Sequence, residues 1–411
     1  MNKNKKIVIL SSVWLEPDSS AAGRRMLQLI HFFQSKNYQI TYASTAQQSV
    51  FAEDLSAKNI KSVTIEINNT NFDDFIKEEN PVIVLFDRFM IEEQFGWRVA
   101  EIVPNAIRIL DTEDLHCLRK TRQEAYKKNQ KFSLKMLLES DIAKREIASI
   151  YRCDLSLIIS KYEMEILKTV FKVPDEIIMY LPFLLQQYNV RDLQNLPKFK
   201  ERKHFYFIGN NLHQPNVATI LELKKLWKSI ADRVSDAELH IYGAYPKQQI
   251  LQLHNTKERF IIKGRLEDKK VLKNYRVLLA PIPFGAGIKG KFFEAIQLGI
   301  TSVTGIIGAE GIVENEEWCG FITKDNSDFI DKSILLYQDQ KIWETAQKFG
   351  VKIWNTLFNE MDYLPILQEN IEQISVNLKN HRNQNFIGQI LMHHTLKSTK
   401  YLSKWIEAKN K

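Results

Sequence analysis

Short apolar, β-rich runs recur along the chain, and longer segments with apolar positions every three or four residues lie between them. KIVILSS (6–12), QITYAS (39–44), PVIVLF (81–86) and AIRILD (106–111) are runs of the first kind, and residues 24–35 form a segment of the second. Continuous apolar runs suit strands covered on both faces, and their alternation with amphipathic helices predicts parallel strands joined by crossovers. A polar helical region over 115–150 follows. LSLIIS (155–160) and KYEMEILKTVF (161–171) then give another strand and helix.

The alternation pauses at NLPKFKERK (195–203), a polar, proline-containing stretch that reads as a linker. It restarts with FYFIGNN, a helix over 216–233, AELHIYG, a short helix near Lys247, RFIIKG, a helix near Asp268, VLLAPIP, TSVTG and GFITKD. From about residue 327 the pattern is mostly helical. The expected fold class is α/β: two doubly wound, Rossmann-like domains facing a cleft, residues 1–195 and 204–345, with C-terminal helices over 346–411. In open parallel sheets ligands bind beyond the carboxyl ends of the strands, so segments just after strands are the candidate sites.

A length of 411 residues with 44% hydrophobic and 26% charged residues exceeds what one core usually supports, in agreement with two domains. The 57 basic against 49 acidic residues leave +8, which suits a phosphate-bearing partner or an anionic surface and equally serves solubility. Cys117, Cys153 and Cys319 lie far apart with no C-x-x-C spacing, so neither a disulfide framework nor a zinc site is expected, and a cytoplasmic location fits. The basic and apolar start imitates a secretory signal, but Glu16, Pro17 and Asp18 follow at once, so it reads as a first strand. No apolar run approaches the roughly 20 residues of a membrane-spanning helix. G-x-G-x-x-G and G-x-x-x-x-G-K-[ST] are both missing, which disfavours redox and P-loop enzymes.

The densest candidate chemistry is PFGAGIKGKFFEAIQLG (283–299), directly after VLLAPIP. Its glycines let a ligand approach the backbone, and Lys289 and Lys291 stand at a helix start whose exposed N–H groups are already electropositive. A lysine there opposes the helix dipole unless an anion such as a diphosphate is bound. Glu294 can accept hydrogen bonds from hydroxyls; an exposed Lys-x-x-Glu surface pair would explain the same spacing. FIGNNLHQPN (207–216) places Gly209 and Asn210 after another strand, and KGR places Arg265 at the same sheet edge, although a plain turn and a solvated charge account for these too. In the first half, EPDSSAAGRRM offers Arg24 to an acceptor or simply starts a helix. LDTEDLHCLR brings Asp111, Glu113, Asp114 and His116 together, a cluster suited to acid–base work, hydroxyl binding or helix capping.

Taken together, FIGNNLHQPN, AELHIYG, VLLAPIPFGAGIKGKFFEAIQLG and TSVTGIIGAEG resemble the donor domain of GT-B glycosyltransferases, particularly the retaining family 4 type, over about residues 204–324. The resemblance implies a hexosyltransferase whose donor substrate is a nucleotide-diphosphate sugar, with neither cofactor nor metal. It places the diphosphate on Gly209, Asn210, Gly285, Gly287, Lys289 and Lys291, with Arg265 nearby, and the ribose on Glu294. Lys289, Lys291, His116 and Asp111 are the expected catalytic groups, and Arg24 and Glu113 the acceptor side. Two positions depart from the family pattern: Ala286 stands where a glutamate is common, eight positions before Glu294, and Asn210 where an arginine is common.

The tail over 379–411 holds seven Lys or Arg against Glu407, interleaved with Phe386, Ile390, Tyr401 and Trp405. It suits packing on the N-terminal domain, as the last helix of the fold commonly does, or a peripheral contact at the inner membrane face. Residues 115–150 add a second basic face. Three functions fit the sequence: a glycosyltransferase of surface polysaccharide or glycoconjugate synthesis with a glycan or lipid-linked glycan acceptor, one acting on another polyanion such as RNA, and a non-catalytic scaffold binding a protein.

Overall fold

The computed structural model describes residues 5–313 and 317–409. Lys411 of the basic tail and the side chain of Lys397 lie outside the described residues. Within them, two all-parallel sheets form. The first contains β1 (Lys6–Ser11), β2 (Gln39–Ser44), β3 (Lys61–Thr64), β4 (Ile83–Asp87), β5 (Ile107–Asp111), β6 (Leu155–Ile158) and β7 (Ile178–Tyr180), in the order β3-β2-β1-β4-β5-β6-β7. The second contains β8 (Lys203–Ile208), β9 (Leu239–Tyr242), β10 (Phe260–Gly264), β11 (Tyr275–Ala280), β12 (Thr301–Gly305) and β13 (Gly320–Thr323), in the order β10-β9-β8-β11-β12-β13. Each sheet reverses direction beside its first strand, between β1 and β4 and between β8 and β11.

The two-residue period of a strand explains why the runs are apolar throughout. Val8 and Leu10 enter one core of the first domain, while Ile7 and Ile9 enter the other, under the opposite helix layer. Strands β3 and β7 escaped the pattern because β3 is a largely exposed edge and β7 spans three residues. The expected helical region over 115–150 is three helices, His116–Lys127, Leu134–Glu139 and Asp141–Arg152. Asn129 adopts a left-handed φ of 51° after the first, and Ser133 caps the second. The helix expected near Asp268 is a 3-10 segment, Lys269–Asn274, capped by the Asp268 side chain.

The expected linker ends inside the second domain. Arg202 is fully buried, its Nε donating to Pro197 O at 2.7 Å and its Nη2 to Leu298 O at 2.8 Å. The C-terminal boundary also moves. Helix Gln340–Leu357 stays on the second sheet through Trp343, Ile353 and Trp354, so the expected break at 346 falls within it. The chain crosses at Phe358–Glu360, where Leu185 N donates to Phe358 O (2.8 Å) and Glu360 N to Leu185 O (2.9 Å). Two crossing segments thus run side by side between the domains.

Helices Glu360–Val376, Leu378–Gln384 and Phe386–Lys409 then cover the first domain. Leu367, Ile371 and Ile374 complete one of its cores, and Arg382 grips Asp154 through Nε at 2.7 Å and Nη2 at 2.8 Å. Burial would raise the Asp154 pKa, but Arg108 and Arg382 hold it below the ordinary value. Removing one member of such a buried pair leaves the other uncompensated. Asp154→Ala should therefore lower unfolding free energy by about 3 kcal/mol in denaturant titration at neutral pH. Because the folded pKa is depressed, the wild-type advantage should be complete above the unfolded pKa and fade as pH falls through the folded one.

Candidate functional site

The carboxyl ends of both sheets open onto one cavity of about 520 Å³. Ser20, Arg24, Arg88, Glu113, Asp114, His116 and Arg119 line it from the first domain, and Gly209, Asn210, Asn216, Arg265, Lys289, Lys291 and Glu294 from the second. Gly285 lines it as well, so of the site residues expected from sequence all but two, Asp111 and Gly287, face the cavity.

On the second-domain wall, β11 runs into a glycine loop and then helix Lys291–Gln297. The first helical hydrogen bonds are those from Phe292 N to Lys289 O and Glu294 N to Gly290 O, which leaves the preceding amides at the cavity-lining end of the helix. Lys291 Nζ donates to Asn216 Oδ1 at 2.9 Å and stands 5.0 Å from the Phe207 ring centre. Lys289 Nζ donates to Gly287 O at 2.8 Å. Desolvation in the cleft pushes Lys291 down to about 7 and Lys289 down to about 8, the two charges also opposing each other at Lys291. Two cations are thus held close together at an energetic cost that an anion would remove.

Asn216, read from the sequence only as a helix start, explains Gly209. A Cβ at 209 would come within 2.5 Å of Asn216 Cγ, so glycine is what lets Asn216 reach both Lys291 and, through Nδ2 at 3.0 Å, Asn210 O. The Asn210 side chain accepts from Leu212 N at 2.8 Å and so shapes the turn. Arg265 stacks on Phe51 of the first domain at 3.9 Å.

Glu294 does not form the surface pair with Lys291. Arg24 of the first domain donates to it directly, with Lys269 Nζ 3.7 Å away. Burial lowers the Arg24 pKa to about 10, still far above neutral pH. Gly290 permits this closeness, since a Cβ there would lie 2.8 Å from Ala21 Cβ and 3.2 Å from Arg24 Nη2.

On the first-domain wall, Asp111 departs from expectation. It is wholly buried beneath the cavity and receives Arg25 Nε at 2.9 Å, so it anchors helix Ala21–Ser35 and contacts no ligand space. Asp114 takes Arg119 through Nε at 2.7 Å and Nη2 at 3.2 Å; burial alone would raise its pKa, and Arg119 and His116 reverse this. His116 Nδ1 lies 3.2 Å from Asp114 O, and burial lowers its pKa to about 4, so its ring is neutral at pH 7. Glu113, at a φ of 62°, has its carboxyl pushed well up by burial and then by Asp111 and Asp87.

The glycine loop is clamped by the first domain. Glu163 Oε1 accepts from Gly287 N at 2.8 Å and from Leu115 N at 2.9 Å, while Arg122 Nη1 donates to Gly285 O at 2.9 Å and its guanidinium pairs with Glu310. Burial, reinforced by Asp114, raises Glu163 to about 8. The Gly287 amide, expected to meet a phosphate, is therefore occupied. Gly287 instead has a packing duty, because at its φ of 62° a Cβ would lie 2.8 Å from Asp114 Cβ. Ala286 is buried in a core of the first domain.

Sequence reasoning missed Arg88, Arg119, Arg122 and Glu163 as site residues, and the reach of Asn216 to Lys291. Arg88 carried a usable signal, since it follows β4 at the point where the first sheet reverses. Glu163 and Arg122 lie within helices, where nothing in the local pattern marks a cross-domain contact. Among the described residues no group of three His, Cys, Asp or Glu is arranged to hold a metal ion, and no helix is long and apolar enough to cross a membrane.

Residues 202–339 match the family model of glycosyl transferases group 1. No curated protein matches the sequence. Among solved structures, sucrose-phosphate synthase (tll1590) from Thermosynechococcus elongatus superposes with a TM-score of 0.66 at 14% identity, covering 90% of this chain and 99% of that one. A TarM variant of S. aureus, solved with Fondaparinux, alpha-GlcNAc-glycerol and UDP, gives 0.68 at 10% identity over 89% and 99%. Anabaena Alr3699/HepE, solved with UDP and glucose, gives 0.62 at 14% over 90% and 100%. The chain thus has the two-domain GT-B fold, and its second domain carries the sequence pattern of the group 1 glycosyl transferases.

Proposed function

We propose that the protein transfers a hexose-type sugar from a nucleotide-diphosphate sugar to an acceptor, with retained anomeric configuration, in glycoconjugate or polysaccharide synthesis. The observation carrying this reading is the pair of desolvated ammonium groups, Lys289 and Lys291, beside the start of helix Lys291–Gln297 in a cavity shared by both domains. The matched family model and the UDP in two of the similar structures support the donor class.

In the proposed step the bond from the anomeric carbon to the diphosphate oxygen breaks, the bond to the acceptor oxygen forms on the same face, and the acceptor hydroxyl gives up its proton to the departing diphosphate. Negative charge collects on the departing diphosphate, so fixed cations there stabilise the transition state more than the ground state. Lys289 and Lys291 supply that counter-charge. Glu294, positioned by its hydrogen bond from Arg24, accepts from the ribose hydroxyls. The neutral His116 ring offers one nitrogen to a sugar hydroxyl. Asp111, buried under Arg25, takes no part beyond holding helix Ala21–Ser35.

Peripheral membrane contact belongs to the same proposal. On helix Phe386–Lys409, Phe386, Ile387, Ile390, Tyr401 and Trp405 are exposed, with Lys404 beside them. Apolar side chains rimmed by lysine suit an anionic lipid surface. Wild-type protein should sediment with phosphatidylglycerol vesicles and Trp405→Glu should not; equal recovery of both in the supernatant would refute the contact.

Lys289→Ala and Lys291→Ala should each lower kcat by about 10²-fold, and Glu294→Ala should mainly raise the donor Kd. UDP affinity of the wild type should fall as pH rises from 7 to 9, because the lysines that bind the anion lose their protons near 7 and 8. Lys291→Met should weaken binding and flatten that slope. Unchanged kinetics in the three alanine variants, or no thermal shift with UDP-, GDP- or ADP-sugars, would favour a binding scaffold.

A further inference from the structure

The geometry points to an acceptor that carries an anionic group, a phosphate or a carboxylate, seated on Arg88. This inference rests on the glycosyltransferase reading above and adds the chemistry of the second substrate.

Three first-domain arginines line the cavity, and two are committed. Arg24 is taken by Glu294 and Arg119 by both oxygens of Asp114. Arg88 has one recorded ion contact among the described residues, with Asp87 Oδ2 at 3.5 Å, and that oxygen already accepts from Ser11 Oγ at 2.5 Å. No hydrogen bond from its guanidinium is present among the described residues. Beyond the long contact to Asp87, the guanidinium of this cavity-lining residue therefore keeps donors for a further acceptor. A phosphate or carboxylate matches that fork in two parallel hydrogen bonds.

The backbone supplies an independent observation. Arg88 has φ 73° and ψ 153°, a region that is essentially restricted to glycine. Its N–H donates to Asp111 O at 2.8 Å, which ties the ends of β4 and β5 together. Glu113, beyond β5, is a second non-glycine residue at positive φ. Two strained charged residues at adjacent strand ends, both lining the cavity, are maintained against their conformational cost. A purely structural turn at position 88 would be better served by glycine.

Arg88 also lies on the correct wall. Lys289, Lys291 and Glu294 belong to the second domain, whereas Arg88 and Glu113 face them from the first. An anion on Arg88 leaves the acceptor's hydroxyl free to point toward the donor, with the Glu113 carboxyl beside it.

Binding of three probes would test this: glycerol 3-phosphate, glucuronate, and phosphatidylcholine vesicles containing phosphatidic acid. Each is measured with UDP present, for wild type, Arg88→Gln and Arg88→Gly. At least one anion should bind the wild type and lose tenfold or more in both variants, while UDP affinity changes less than twofold. Binding of the soluble anions identifies a soluble acceptor, and binding of the vesicles alone a lipid headgroup. Arg88→Gly should in addition raise the unfolding midpoint. The inference is overturned if no anion binds the wild type, or if either variant binds anions as well as wild type. Failure of UDP to bind the wild type would instead count against the donor reading, since the anion arm can be repeated without nucleotide.

Discussion

One carboxyl oxygen holds the two halves of the site together. Glu163 Oε1 accepts from Leu115 N in the first domain and from Gly287 N in the second, so the loop that leads into the lysine pair is fixed against the wall that carries Asp114 and His116. Arg122 does the same from the other end of the loop, on Gly285 O and Glu310. With both ends tied, the distance between the two walls is set by backbone hydrogen bonds. These lie in a buried setting, where leaving a donor unpaired costs about 1–3 kcal/mol.

That clamp changes what the glycines mean. In many anion sites glycines bare their amides to the ligand, yet here the Gly287 N–H is spent on Glu163 and Gly287 is small because Asp114 lies against it. Gly209 is small because Asn216 must reach Lys291, and Gly290 because Ala21 and Arg24 press on it. The cost of bringing two domains this close has been met by removing side chains, and the charge on the cavity side is left to lysines. Their lowered pKa values follow from the same closeness, since the walls exclude the water that would stabilise two ammonium groups.

Much of this was legible in the sequence where chemistry coincides with a strand end. VLLAPIP followed by the glycine and lysine run marked the second-domain wall, and the restart of alternation after residue 203 marked the second sheet. What stayed hidden depends on contacts between residues far apart in the chain. Asp111 looked reactive because it sits beside Glu113 and Asp114, but a strand alternates its faces, and the one Asp111 occupies is covered by Arg25. The spacing also allowed Glu294 to pair with Lys291, and nothing local showed that Arg24, 270 positions away, would take it instead. The domain crossing at Phe358–Glu360 was placed too early, at 346, because helices of both domains follow one another there with no change in composition.

The central claim is that the lysine pair holds a diphosphate between these clamped walls. A crystal structure with UDP tests it most directly. The account predicts the diphosphate within hydrogen-bond reach of Lys289 and Lys291, and the ribose on Glu294. A nucleotide bound outside the interdomain cavity, or one whose phosphates turn away from both ammonium groups, would contradict it.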